Sequence, residues 1–103
     1  MRFVVNIRLI TAVPPEQFPS IMERFADWRE QHRDRMESFE IYAGGRGGFM
    51  VIDVPDEVEL NSMMAEYPFT PYLETEVHPI IDGDIALDQW WQMMRQVLGN
   101  NSS

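Results

Sequence analysis

Apolar residues change their spacing several times along the chain, and each change marks an element. Over 2–10, "RFVVNIRLI", Phe3, Val5, Ile7 and Leu9 alternate with Arg2, Val4, Asn6 and Arg8, the period of a strand with one buried face. After Pro14 and Pro15 the period lengthens. Phe18, Ile21, Met22, Phe25 and Trp28 recur at helical spacing, which predicts a helix of about five turns ending near Arg33 to Met36. Pro19 falls in its first turn, where a missing amide donor costs little. "SFEIYAGGRGGFMVIDV" reads as two strands joined by a "GGRG" hairpin, since glycines reach the positive φ values that tight turns demand. Glycine-rich loops also cradle phosphates, but here no lysine follows and no helix opens.

Asp56 with Glu59 three residues on forms a capping box for a second helix. Its buried stripe is Val58 or Leu60 with Met63 and Met64, and Pro68 stops it. "PYLETEVHPII" is a fourth strand. "DGDIALDQWWQMMRQVL" is a third helix at about 84–98, with Asp84 as cap, Gly99 as terminator and a disordered tail at 100–103. The order β-α-β-β-α-β plus a helix predicts an α+β, ferredoxin-like fold: a four-stranded antiparallel sheet with both crossover helices on one face. One domain over 1–99 accounts for it. The sheet's second face stays bare, which points to a homodimer or larger homo-oligomer that covers it.

Composition narrows the chemistry. Seventeen acidic residues against eight basic ones, all arginine, give a net charge of -9, which repels phosphate backbones and anionic lipid. Neither nucleic acid nor a membrane is an expected partner. With no lysine and no cysteine, Schiff-base chemistry, thiol nucleophiles, thiolate metal sites and disulfides drop out. No apolar run approaches the roughly 18 residues of a membrane span, and no cleavage site follows the first strand, so a soluble cytoplasmic protein is the expectation.

"FMVIDVPDEVELNSMMAEYPFTPYLETEV" resembles the muconolactone isomerase family of the β-ketoadipate pathway, over about residues 1–80. Its most specific part is Asp53, Val54 and Pro55, followed by Pro68, Phe69, Pro71, Tyr72, Glu76 and Val77. The resemblance implies a dimeric α+β barrel, often built into larger rings, that moves a proton along a lactone without metal or cofactor. The chain departs from that pattern in its arginine- and aromatic-rich first helix, in His78, and in the Trp-rich last helix.

On the fourth strand Tyr72, Glu74, Glu76 and His78 share one face by alternation, and Leu73, Thr75 and Val77 the other. Asn6 and Arg8 of the first strand, and Glu40 and Tyr42 of the second, project with the polar set. These are parts for proton transfer. A carboxylate or His78 would take a proton from carbon beside a carbonyl while Arg8, Asn6 or a tyrosine hydroxyl such as Tyr72 stabilises the enolate. Glu40, Tyr42, Phe69 and Trp90 are the expected substrate-binding residues. Alternating Glu and His on an outer strand equally describe a solvated face, the preferred reading for Glu74. A metal site is not expected: strand residues four apart stand about 13 Å apart, too far for Glu74 and His78 to share an ion. His32, among polar neighbours at a helix end, reads as a structural residue whose charged form suits the dipole. Asp53 reads as a turn residue before its proline. Trp90, Trp91, Met93, Met94, Val97 and Leu98 read as an oligomer contact, or as a roof over a pocket. A pocket between sheet and helices would instead be lined by Phe25, Trp28, Met63 and Tyr67, which otherwise read as core. The reading is a cofactor-free isomerase or cyclase acting on a small carbonyl or lactone compound. A cofactor-free oxygenase and a non-catalytic binding protein remain open beside it.

Overall fold

The structure, a computed structural model, describes residues 1–101. Its elements run β1 (Arg2–Leu9), α1 (Phe18–Gln31), β2 (Met36–Ile41), β3 (Gly47–Asp53), α2 (Glu57–Ala65), β4 (Leu73–Ile80) and α3 (Gly83–Asn101). The four strands form one antiparallel sheet in the order β2-β3-β1-β4. This is the ferredoxin-like α+β arrangement expected from the order of elements.

The period-two pattern of β1 becomes two physically different sheet faces. Phe3, Val5 and Ile7 point under the helices and are buried, joined there by Met50 and Ile52 of β3. Each such side chain removed from water contributes about 1.5–3 kcal/mol. From above, α1 supplies Ile21 and Trp28, and α2 supplies Leu60 and Met63. The indole Nε1 of Trp28 donates to the Met63 carbonyl at 3.0 Å and pins one helix to the other. Phe25 packs its ring 5.5 Å from Phe39 and 5.5 Å from Phe69, while Trp28 and Tyr67 meet edge-on at 4.8 Å. Between sheet and helices Trp28, Met63 and Tyr67 are buried as core, and burial pushes the Tyr67 hydroxyl up to about 12.

Local chemistry sets the boundaries. The Asp56 carboxylate accepts from the Glu59 amide at 2.9 Å and starts α2 as the capping box requires, with Val58 as its exposed member. Gly44 and Gly45 take positive φ of 107° and 75° at the hairpin tip. Gly48 answers a different need. A Cβ there would stand 2.1 Å from the Glu40 carbonyl oxygen, so the β2–β3 ladder closes only around a bare backbone.

Four expectations change. Helix α1 ends at Gln31 and a 3-10 turn at Arg33–Arg35 follows, because the chain must be extended by Met36 to enter the sheet. His32 is the C-cap of α1 and only 6% exposed, its ring 5.2 Å from Trp28. Desolvation, with Arg35 nearby, holds its pKa below the usual imidazole value, so the neutral form is favoured where a charged one was expected. The cap of α3 is Asp82, not Asp84: its Oδ1 accepts from the amides of Asp84 at 2.9 Å and Ile85 at 3.3 Å. Helix α3 continues through Gly99 to Asn101, and the end of the expected disordered tail, 102–103, lies outside the described residues.

Helix α3 leaves the body altogether. The molecule measures 71 × 27 × 20 Å with a radius of gyration of 18.9 Å, against about 13 Å for a compact chain of this length. No helix among the described residues is long and apolar enough to cross a membrane.

Candidate functional site

The sheet face opposite α1 and α2 carries its side chains in rows set by strand register, the outermost being Ile80, Arg2 and Asp53. One row runs Glu76, Asn6, Phe49, Glu40 across β4, β1, β3 and β2. Beside it runs His78, Val4, Val51, Ser38, and on the other side Glu74, Arg8, Gly47, with Tyr42 following β2. Ionisable groups collect at the β4–β1 edge, and apolar Phe49, Val51 and Val4 fill the middle.

Asn6 is the hub. The Tyr42 hydroxyl donates to Asn6 Oδ1 at 2.7 Å. With its carbonyl oxygen occupied, the Asn6 amide is turned so that its N–H groups remain to donate. Across the ladder, His78 Nε2 stands 2.8 Å from Glu76 Oε1. A carboxylate accepting here takes its hydrogen bond from Nε2, and in the neutral ring of that tautomer Nδ1 is the acceptor nitrogen. Arg8 pairs with Glu74 on the neighbouring row. That pair is exposed, 69% for Arg8 and 59% for Glu74, and such surface pairs contribute only about 0–1 kcal/mol. Little holds Arg8 back from an incoming oxyanion.

Two recesses meet at Asn6 and Arg8. One, of about 340 Å³, is bounded by Tyr42, Gly44, Arg46 and Gly47. The other, of about 440 Å³, is bounded by Glu74, Thr75 and Glu76. Together they gather the Glu74 and Glu76 carboxylates, the Asn6 amide and the Arg8 guanidinium around a space the size of a small ring compound, with His78 joined to them through Glu76.

The expected residues separate into two groups. Asn6, Arg8, Tyr42, Glu76 and His78 come together on this face. Glu40 shares the face but lies two strands from Asn6, behind the Phe49 ring. Tyr72 does not continue the row: it closes a 3-10 turn at Thr70–Tyr72, β4 starts one residue later, and its hydroxyl donates to Gln17 Oε1 at 2.7 Å. Phe69 packs against Phe25 and Tyr67 beneath the helices, and Trp90 stands out on α3, so neither reaches the recesses. One residue the sequence reading passed over does: Arg46, the lone cation in the glycine run. Phe49, also passed over though signalled by its alternation with Val51, shares the face and lies tilted against Tyr42 at 6.2 Å. Asp53 accepts from the Met1 amino group at 3.2 Å, a structural contact. Among the described residues no group of three or more His, Asp or Glu gathers as metal ligands would.

A family model for DUF3303, a domain of unknown function, matches residues 1–96. The chain belongs to this family. A search of curated proteins finds no match to the DUF3303 sequence described here. Among solved structures, it is similar to muconolactone isomerase, at 21% identity and a TM-score of 0.70, covering 80% of this chain and 90% of that one. It is also similar to the 5-chloro-2-hydroxyhydroquinone dehydrochlorinase of Burkholderia phenoliruptrix bound to 2,5-dihydroxybenzoquinone, at 17% identity and a TM-score of 0.61, covering 82% and 97%. At these identities the likeness establishes a shared fold for the DUF3303 chain.

Proposed function

We propose that this DUF3303 protein is an enzyme that shifts a proton within a small carbonyl or lactone compound using its own side chains, an isomerase of the muconolactone isomerase type. The observation that carries the reading is the His78–Glu76 pair across the β4–β1 ladder from the Tyr42-held Asn6, with Glu76 directly opposite it and His78 diagonal to it. Diagonal neighbours in an antiparallel pair stand about 7–8 Å apart, which leaves room for a carbonyl group and the carbon next to it. Two enzymes of small ring compounds on the same fold give the reading its context.

In this reading His78 Nδ1 removes the proton from the α-carbon. Glu76 fixes the ring through Nε2 and stabilises the imidazolium that forms. As charge moves onto the carbonyl oxygen, the Asn6 amide donates to it and Arg8 leaves Glu74 to face it. The imidazolium then returns the proton to a different carbon of the conjugated system, and the double bond moves. Phe49 and Val51 supply an apolar floor for the ring. A second copy laid over the open face would exclude water and strengthen each of these interactions.

The test is exchange in D₂O. Unsaturated γ-lactones and cyclic ketones incubated with the protein should lose their α-proton NMR signals at a rate proportional to enzyme. A binding protein would leave those signals intact, and oxygen uptake with electron-rich phenols in place of exchange would replace the reading with an oxygenase.

A further inference from the structure

We infer that α3 is an exchanged arm: it docks on a second copy of the chain, in the groove between α2 and the helix-side face of β4. This inference rests on two unpartnered surfaces and is independent of the proposed chemistry.

The first surface is α3. Leu87, Trp90, Trp91, Met94, Val97 and Leu98 repeat at three- and four-residue spacing, which puts them on one continuous stripe, with Met93 at its margin. Gln89, Gln92 and Gln96 lie opposite, and Asp84, Asp88 and Arg95 flank the stripe on the Trp91 side. The stripe residues are 48–63% exposed. An isolated helix of this length is marginal in water, so packing against something must hold it.

The second surface is on the body. Sheet register places Thr75, Val77 and Pro79 of β4 on the helix side, opposite Ile7, Val5 and Phe3. Their β1 partners are buried, yet Val77 itself is 40% exposed, because α1 and α2 do not extend over this edge strand. With Leu60 and Met64 of α2 they form a largely apolar groove of about 720 Å³.

The two surfaces match in length and in area. An eight-residue strand such as β4 spans about 26 Å, and a 19-residue helix such as α3 about 28 Å. The apolar surface exposed on the α3 stripe is of order 800 Å², so reciprocal docking of two arms reaches about 1,600 Å² per interface, the size of a stable complex. One arm and one groove per chain close a two-fold pair with nothing left over. Folding back onto the same chain is opposed by the connection. Only Ile81 and Asp82 separate β4 from α3, and Asp82 is committed to capping, its carbonyl accepting from the Ala86 amide at 3.0 Å and its carboxylate from Asp84 and Ile85.

The chain has no cysteine, so thiols can be placed at will. In the double variant Val77→Cys/Met94→Cys, treated at low micromolar concentration with a short bismaleimide, the expected product is a covalent dimer of twice 12.1 kDa with both thiols consumed. A monomer with an internal cross-link would show a folded-back helix and overturn the inference, as would no cross-link at all. Equal dimer yield from Met94→Cys alone would show arm against arm and overturn it too. Independently, Met94→Glu and Val77→Glu should each raise the dimer dissociation constant at least a hundredfold by sedimentation, with unchanged far-ultraviolet circular dichroism of the body. An unaltered constant in either variant counts against the docking.

Discussion

Val5 and Asn6 are neighbours in β1, yet one is fully buried under α1 and α2 and the other opens into two recesses. The contrast holds along the whole sheet. On the helix side, side chains touch one another and the Trp28–Met63 link locks the layers. On the open side, polar groups meet in pairs: Tyr42 with Asn6 and Arg8 with Glu74 across strands, and His78 with Glu76 along β4. A dry face specifies the fold and a wet one is free to carry chemistry, and a single strand serves both because its side chains alternate.

That contrast can be broken in order of size. Met50→Ala, at a position 0% exposed on the dry face, should lose about 2–5 kcal/mol of stability by urea unfolding. An unchanged midpoint would mean the core is not where the burial places it. His78→Ala on the wet face should do the reverse, lowering proton-exchange turnover at least about a hundredfold, the low end for general-base removal, while stability moves by no more than about 0.5 kcal/mol. Equal loss of stability would make His78 a structural residue. Tyr42→Phe frees the Asn6 carbonyl oxygen and should reduce turnover about five- to tenfold, in keeping with one neutral hydrogen bond of about 1 kcal/mol; steady-state kinetics decide it.

The smallest effect concerns pH and belongs to the dry side. His32 resists protonation in the folded protein through desolvation and Arg35, with Glu66 and Glu59 opposing, while the unfolded chain accepts a proton at the usual value of 6.5. As pH falls below about 6.5 the unfolded state binds more protons, so folding stability declines. His32→Phe should flatten that slope between pH 7 and 5, and a slope unchanged by the substitution would remove His32 as its source.

What the residues alone revealed follows the same division. Alternation in β1 exposed both faces at once, since burial on one side leaves a clear period, and the capping box and the glycine tip announced α2 and the hairpin through purely local chemistry. Tyr72 was misplaced because Pro71 draws 70–72 into a 3-10 turn, starting β4 two residues later than the pattern suggests. The burial of His32 was not read because part of it comes from α2, packed against the end of α1 from far along the sequence, a tertiary effect invisible in its polar neighbours. Arg46 was overlooked since the glycines around it explain the turn completely. The stripe on α3 was legible, but what it packs against depends on a surface far away in the sequence.

Gly47 bounds the recess beside Arg8, where an added Cβ would stand 2.3 Å from the Ile7 carbonyl oxygen. Enlarging that one residue would push β1 away from β3, so the hairpin's sequence and the shape of the hollow are coupled through a single backbone contact.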